Sequence, residues 1–178
     1  MEYINVLVRD TVMLYWGTSF SDTVVQLSTI INTPFFCGVV VLYVLLLLAQ
    51  GKQKQVLITL TAIALAFIFA YLLKISLAIP RPEVSLVWEK GFGFPSMHAT
   101  LSATFLFLFA HISIEQIHNK FWHTTLLVLS IILGLLIGFS RVFLQVHSID
   151  QVIAGFLLGL TVAFLTTFIF EHTKKKRR

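Results

Sequence analysis

The stretch Gly93-Phe94-Pro95-Ser96-Met97-His98-Ala99-Thr100 sets a hydroxyl and an imidazole directly after a proline and directly before a largely apolar run that continues to Ile114. Proline is well suited to a helix start, so Ser96 and His98 stand at the mouth of a helix whose body is apolar. The same arrangement recurs on either side. Upstream, Lys74-Ile75-Ser76-Leu77-Ala78-Ile79-Pro80-Arg81-Pro82 closes one apolar run; downstream, Ser140-Arg141, His147, Asp150 and Gln151 lie between two more. Almost all the chemistry of the chain is held in these three polar islands.

The apolar background is general. Of 178 residues, 57% are hydrophobic and 12% charged, with a mean hydropathy of +0.90. Such values predict an all-α integral membrane bundle, with residues 1–178 forming one membrane-embedded domain. The single cysteine, Cys37, lies in an apolar run, which excludes a disulfide framework and a cysteine-based zinc site. Met1 to Phe20 carries Arg9 and Asp10 in its middle and lacks a basic start leading into an apolar core, so no cleavable leader is expected there. Five of the thirteen Lys and Arg residues form the tail Lys174 to Arg178, a distribution that suits a membrane surface and not a nucleic-acid face.

In chain order, residues 1–22 mix apolar side chains with Glu2, Arg9, Asp10 and Asp22, the pattern of an amphipathic helix lying in the membrane interface. Val24–Ala49 contains no Asp, Glu, Lys, Arg or His and predicts a first span, with Asn32 and Pro34 as points for a kink. Val56–Ile79 predicts the second span, Ser96 to about Ile114 the third, Thr124–Phe139 the fourth and Gln151–Phe170 the fifth. The fourth must borrow from its flanks to cross a core of about 30 Å. A sixth span over residues 1–20 is the alternative topology.

Lys52, Lys54, Lys120 and the basic tail fall on one side of such a bundle, and Arg9, Lys74, Arg81, Lys90 and Arg141 on the other. Once the three cations of the polar islands are set apart, the positive-inside rule makes the first side cytoplasmic. All three islands then share the extracytoplasmic face.

Lys74, Arg81 and Arg141 would bring three positive charges there, Ser96 a hydroxyl at a helix start, and His98 and His147 two imidazoles. Arginines grip phosphate through paired N–H groups and lysine adds a point charge. A helix start offers free backbone N–H groups to an anion. The set contains no metal ligands, and three cations can neutralise a transferring phosphoryl group as magnesium does elsewhere, so no cofactor is expected. A nucleophilic histidine needs one free ring nitrogen, with the other donating to an acceptor. His147 alone has such an acceptor close in sequence, Asp150 or Gln151, so it is assigned as nucleophile and His98 as general acid. Both acceptors remain open at this stage.

These islands resemble those of the type 2 phosphatidic acid phosphatase superfamily. Lys74 and Arg81-Pro82 are similar to its first motif; Pro95, Ser96 and His98 to its second, with Met97 where glycine is usual; Ser140, Arg141 and His147 to its third. The resemblance implies His147 as nucleophile, His98 as acid, and Lys74, Arg81, Ser96 and Arg141 as phosphate ligands; Met97, in place of the glycine, still offers a backbone N–H to phosphate. It departs where the family has Asp four residues after the nucleophile: that position is Gln151, with Asp150 one place early.

Taken singly, each residue has a structural reading: Lys74 snorkelling, Arg141 anchoring at the interface, His98 capping a helix, His147 satisfied in a loop. Jointly, those readings require independent coincidences at one membrane face. For His111, His118, His123 and His172, at the opposite ends of the spans, the structural reading is preferred. Glu83 and Glu89 read as solvated loop residues, with gating of the substrate as the lesser alternative. Phe105, Phe107 and Phe109 read as packing or lipid-facing surface.

The expected substrate is a membrane lipid bearing a terminal phosphate or diphosphate. Undecaprenyl diphosphate and a lipid A phosphate are favoured, beside phosphatidic acid, phosphatidylglycerophosphate and sphingoid phosphates. The small bacterial members that the chain resembles place it in a bacterial cytoplasmic membrane. Alternatives are a lipid phosphotransferase, and an anion-binding membrane scaffold that lost activity through Gln151; no nucleic-acid partner is expected, and the sequence is silent on oligomeric state.

Overall fold

The computed structural model describes residues 2–30 and 33–175, all helix, turn or loop. The helices are α1 (Glu2–Met13), α2 (Ser19–Ile30), α3 (Thr33–Ala49), α4 (Gln53–Leu77), α5 (Met97–Ile114), α6 (Lys120–Phe143) and α7 (Ile149–Lys175). Four of them, α4 to α7, are long and apolar enough to cross a membrane, and Pro34–Ala49 is a shorter apolar helix. The sequence predicts an all-α bundle of about five spans behind one amphipathic helix; the all-α bundle is found, with four helices of spanning length, a fifth apolar one that is shorter, and two helices, α1 and α2, before them.

Boundaries differ in two places. The apolar run Val24–Ala49 is divided between α2 and α3; Asn32, a suggested kink point, lies outside the described residues. The fourth span gains a turn at each end, to 24 residues, which brings it to about 36 Å and draws Ser140 and Arg141 into its last turn. Its start is capped by Asn119, whose side chain accepts from the Phe121 N–H at 2.8 Å.

Helix α5 is the centre of the bundle, packed on α4, α6 and, most extensively, α7. Small residues permit that approach. A Cβ at Gly155 would lie 2.7 Å from the Ser96 carbonyl oxygen, and one at Gly159 would lie 2.2 Å from that of Thr100. Spaced four apart, the two glycines form the small-residue stripe along which membrane helices meet closely. Thr104 Oγ1 donates across this seam to the Gly159 carbonyl at 3.1 Å. On α4 the fully buried Ala62, Ala66 and Ala70 make an equivalent stripe.

The phenylalanines of α5 serve packing. Phe105 is buried and meets Tyr43 and Phe36 of α3 edge to face, at centroid distances of 5.5 and 5.9 Å. His111 pairs with Glu171 at 3.1 Å, tying α5 to α7 at the end away from the polar islands.

The amphipathic pair folds over the other end. Val12 of α1 and Val24 of α2 are buried with Phe143, Leu144 and Val146, so the α6–α7 connection is roofed by the N-terminal helices. This is also the end at which α4 finishes, α5 starts, α6 finishes and α7 starts.

Candidate active site

Each polar island is fixed by the way its helix begins or ends. Helix α4 closes with Ala78 in the left-handed region (φ 49°), its N–H bonded to the Lys74 carbonyl, and Pro80 and Pro82 prevent continuation. Arg81 is thereby released into a loop. Helix α5 begins at Ser96, whose Oγ accepts from the Ala99 N–H at 3.5 Å and whose own N–H donates to the Gln151 carbonyl at 3.0 Å. Ser96 is fully buried, and the first-turn N–H groups of Met97 and His98 have no acceptor within the helix. Helix α6 ends just beyond Arg141, and the Arg141 carbonyl accepts from both Val146 and His147 N–H at 3.2 Å. The left-handed turn at Gln145 (φ 54°) makes that double contact possible.

His147 is buried, 1% exposed. Its Nδ1 lies 3.0 Å from Gln151 Oε1, while Gln151 Nε2 donates to the Pro80 carbonyl at 3.0 Å. That second bond orients the amide, so its oxygen faces the imidazole, Nδ1 carries the proton and Nε2 is left bare. Burial first, then the Arg81 charge, push the imidazole pKa down to about 3, so the ring is neutral. Its Nε2 lies 3.1 Å from Arg81 Nη1.

Asp150, the other acceptor open in the sequence, is turned away from the histidine. Its Oδ1 accepts from Asn5 Nδ2 at 2.9 Å, and Asn5 Oδ1 accepts from the Ile149 N–H at 3.3 Å. The carboxylate therefore fastens α1 to the start of α7.

Arg81 and Arg141 are joined by a residue that reads from sequence as a solvated loop side chain. Glu89 Oε2 is 3.0 Å from Arg81 Nη1 and Oε1 is 2.9 Å from Arg141 Nη1. Burial draws the Arg81 guanidinium below its ordinary range, and Glu89 opposes that shift. Arg141 is 4% exposed and also donates through Nη2 to Ser28 of α2. Lys74 Nζ donates to the Phe92 carbonyl at 2.6 Å. His98, half-buried in the first turn of α5, lies within electrostatic reach of Arg141, Glu89, Arg81 and Lys74, and in turn of His147.

The structure thus gathers Lys74, Arg81, Ser96, Met97, His98, Arg141, His147 and Gln151 at one end of the bundle and sets Asp150 apart. Ser28 and Asn5 are the neighbours that sequence reasoning left out, and Glu89 is one it named only as a solvated loop residue, with gating as the lesser alternative. Three cations close together need a countercharge, and that requirement is the signal by which Glu89 could have been singled out. An apolar cavity of about 500 Å³, lined by Leu106, His111, Ser130 and Gly134 among others, extends toward the opposite end of α5 and α6 and takes no part in this cluster.

An all-helical bundle with four apolar membrane-span candidates, which collects three cations and two histidines at one end, defines an integral-membrane protein with a polar, cationic site. Residues 55–175 match the model of the PAP2 superfamily, and the chain belongs to that family. It is similar to phosphatidylglycerophosphatase B of Bacillus subtilis (strain 168), 34% identical over 104 residues covering 55% of this chain and 49% of the relative. The chain thus aligns with about half the length of that curated relative. Its fold matches the crystal structure of a transmembrane PAP2-type phosphatidylglycerolphosphate phosphatase from Bacillus subtilis with a TM-score of 0.84 at 22% identity, covering 96% of this chain and 86% of that one.

Proposed function

We propose that residues 1–178 act as one membrane-embedded lipid phosphatase domain that hydrolyses a terminal phosphate on a membrane lipid without a metal, through a phosphohistidine at His147. The observation that carries this reading is the His147–Gln151–Pro80 relay, which leaves Nε2 bare and neutral beside Arg81. In the first step Nε2 attacks phosphorus, the bond to the lipid oxygen breaks, and His98 gives its proton to the departing alkoxide. In the second, His98 takes a proton from water, the water oxygen attacks phosphorus, and the P–N bond breaks to release orthophosphate. Arg81, Arg141, Lys74 and the first-turn N–H groups of α5, including that of Met97, neutralise the equatorial oxygens throughout. Ser96 holds that turn open by capping it.

The positive-inside distribution supports an extracytoplasmic site and a cytoplasmic basic tail, in a bacterial cytoplasmic membrane. A site at headgroup level among apolar helices is reached by lipids diffusing sideways. The name of the 34%-identical relative puts phosphatidylglycerophosphate at the head of the substrate panel, with phosphatidic acid, undecaprenyl diphosphate and a lipid A phosphate behind it. Purified protein in detergent, assayed without divalent metal, should release orthophosphate from at least one of these, and His147→Ala should not. Equal release by the variant, or none from any lipid by the wild type, would set the reading aside.

A further inference from the structure

The segment Glu89 to Phe92 lies across the cationic cluster like a strap. Its two anchors are backbone bonds, Leu86 N–H to the Leu144 carbonyl at 3.0 Å and Gly93 N–H to the Ile79 carbonyl at 2.7 Å. Between them the chain has neither helix nor strand, and its contacts to the cluster are almost all to side chains that the proposed reaction needs for phosphate. Glu89 bridges Arg81 and Arg141; the carbonyls of Lys90 and Gly91 accept from Arg81 at 3.3 and 3.1 Å, and that of Phe92 accepts from Lys74.

Two features mark this as a resting arrangement. A guanidinium terminal nitrogen has two hydrogens to give. Arg81 Nη1 has three acceptors in reach, the Val146 carbonyl, Glu89 Oε2 and His147 Nε2, at 2.9, 3.0 and 3.1 Å. At the same time Arg141 Nε is buried without a hydrogen-bond partner among the described residues. One donor is oversubscribed while another is idle. A phosphate, with three free oxygens and two negative charges, would correct both faults, whereas the single carboxylate leaves three cations only partly neutralised.

We propose that Glu89 stands in for the substrate phosphate in the resting protein, each carboxylate oxygen on one of the two arginines, and must be displaced with its strap before a lipid phosphate can enter. This rests on the phosphatase reading of the site. Glu89 holds the buried guanidinium of Arg141 in place while no substrate is bound, and it competes with weak anions, so that only a phosphate delivered on a membrane lipid displaces it readily. Gly91 (φ +81°), at which an added Cβ would meet nothing within 4 Å, gives the strap a point of rotation in open space.

The test is binding of orthophosphate and of vanadate to purified full-length protein in detergent, by calorimetry, with lipid turnover measured alongside. A latch that leaves the open state populated at about 10% or less weakens apparent affinity by about tenfold or more, and its removal restores that factor. Glu89→Gln should therefore bind both anions about tenfold tighter than the wild type and lower KM for the lipid, with kcat held within about threefold. Glu83→Gln, a charge removed from an exposed position in the same loop, should change neither. If Glu89→Gln destabilises the free protein, orthophosphate should restore its melting temperature more than it raises that of the wild type. Unchanged or weaker anion binding by Glu89→Gln would overturn the proposal and make Glu89 a fixed positioning residue for the arginines. Failure of the underlying site reading looks different: Arg141→Ala would then bind orthophosphate as tightly as the wild type, and both proposals would fall together.

Discussion

Gln151 accepts the Nδ1 proton of His147 at 3.0 Å and is itself held by the Pro80 carbonyl. A neutral amide thus does the orienting work that a carboxylate would otherwise do. The amide fixes the tautomer and turns Nε2 toward the arginines, but it would offer less stabilisation to the cationic ring formed in the proposed attack.

The division between Gln151 and Asp150 can be tested by replacing each. Gln151→Leu should lower kcat by about a hundredfold or more, because the ring loses its acceptor and the tautomer is no longer fixed. Asp150→Asn keeps an oxygen for Asn5 and should stay within about threefold of the wild type. Steady-state kinetics on the preferred lipid decides it, and a larger loss from Asp150→Asn would reverse the assignment.

Burial of neutral His147 makes stability depend on pH. Its pKa is about 3 when folded and about 6.5 when unfolded. Between these values the unfolded chain binds the extra proton, so stability falls as pH falls from about 6.5 toward 3, by up to about 1.4 kcal/mol per pH unit. Thermal unfolding in detergent at a series of pH values should show a shallower acid slope for His147→Gln than for the wild type. Equal slopes would mean the imidazole is not buried neutral.

Arg141 presents a fork that Lys cannot reproduce. Arg141→Lys keeps the charge but loses either the Glu89 or the Ser28 contact and cannot grip two phosphate oxygens in one plane. It should cut kcat/KM by about a hundredfold, and a loss below about fivefold would show that only the charge matters.

Close packing of α5 on α7 is tested at Gly159. A Cβ there would sit 2.2 Å from the Thr100 carbonyl oxygen, so Gly159→Ala must push the helices apart and should cost about 1–3 kcal/mol. Gly38→Ala, where an added Cβ meets nothing within 4 Å, is the control for helix propensity. Matching melting temperatures for the two variants would contradict the packing.

Much of this arrangement was legible in the sequence because its residues lie at helix ends, and apolar runs interrupted by proline and charge report helix ends well. The spacing narrows the partner of His147 to Asp150 or Gln151, since positions three and four along a helix share a face; the choice of Gln151 comes from the structure, in which Asp150 is taken up by Asn5. What could not be read is long-range. Glu89 sits in an irregular loop with no periodicity, and its partners lie 8 and 52 positions away. Asn5 and Ser28 reach the site only because α1 and α2 fold over the α6–α7 connection, a tertiary contact that an amphipathic pattern does not specify. The division of Val24–Ala49 falls where Asn32 and Pro34 mark a kink in the sequence, between the end of α2 at Ile30 and the start of α3 at Thr33; with no charged residue in the run, those two marks suggest a bend and not two separate helices.

The most direct measurement is rapid-quench trapping of labelled phosphate on the protein during turnover of a lipid phosphate labelled at phosphorus, followed by mass spectrometry of the peptide containing His147. The account predicts an acid-labile, base-stable label on His147 in the wild type and none in His147→Ala. Turnover by the wild type with no label on His147, or a label at another residue, would contradict it.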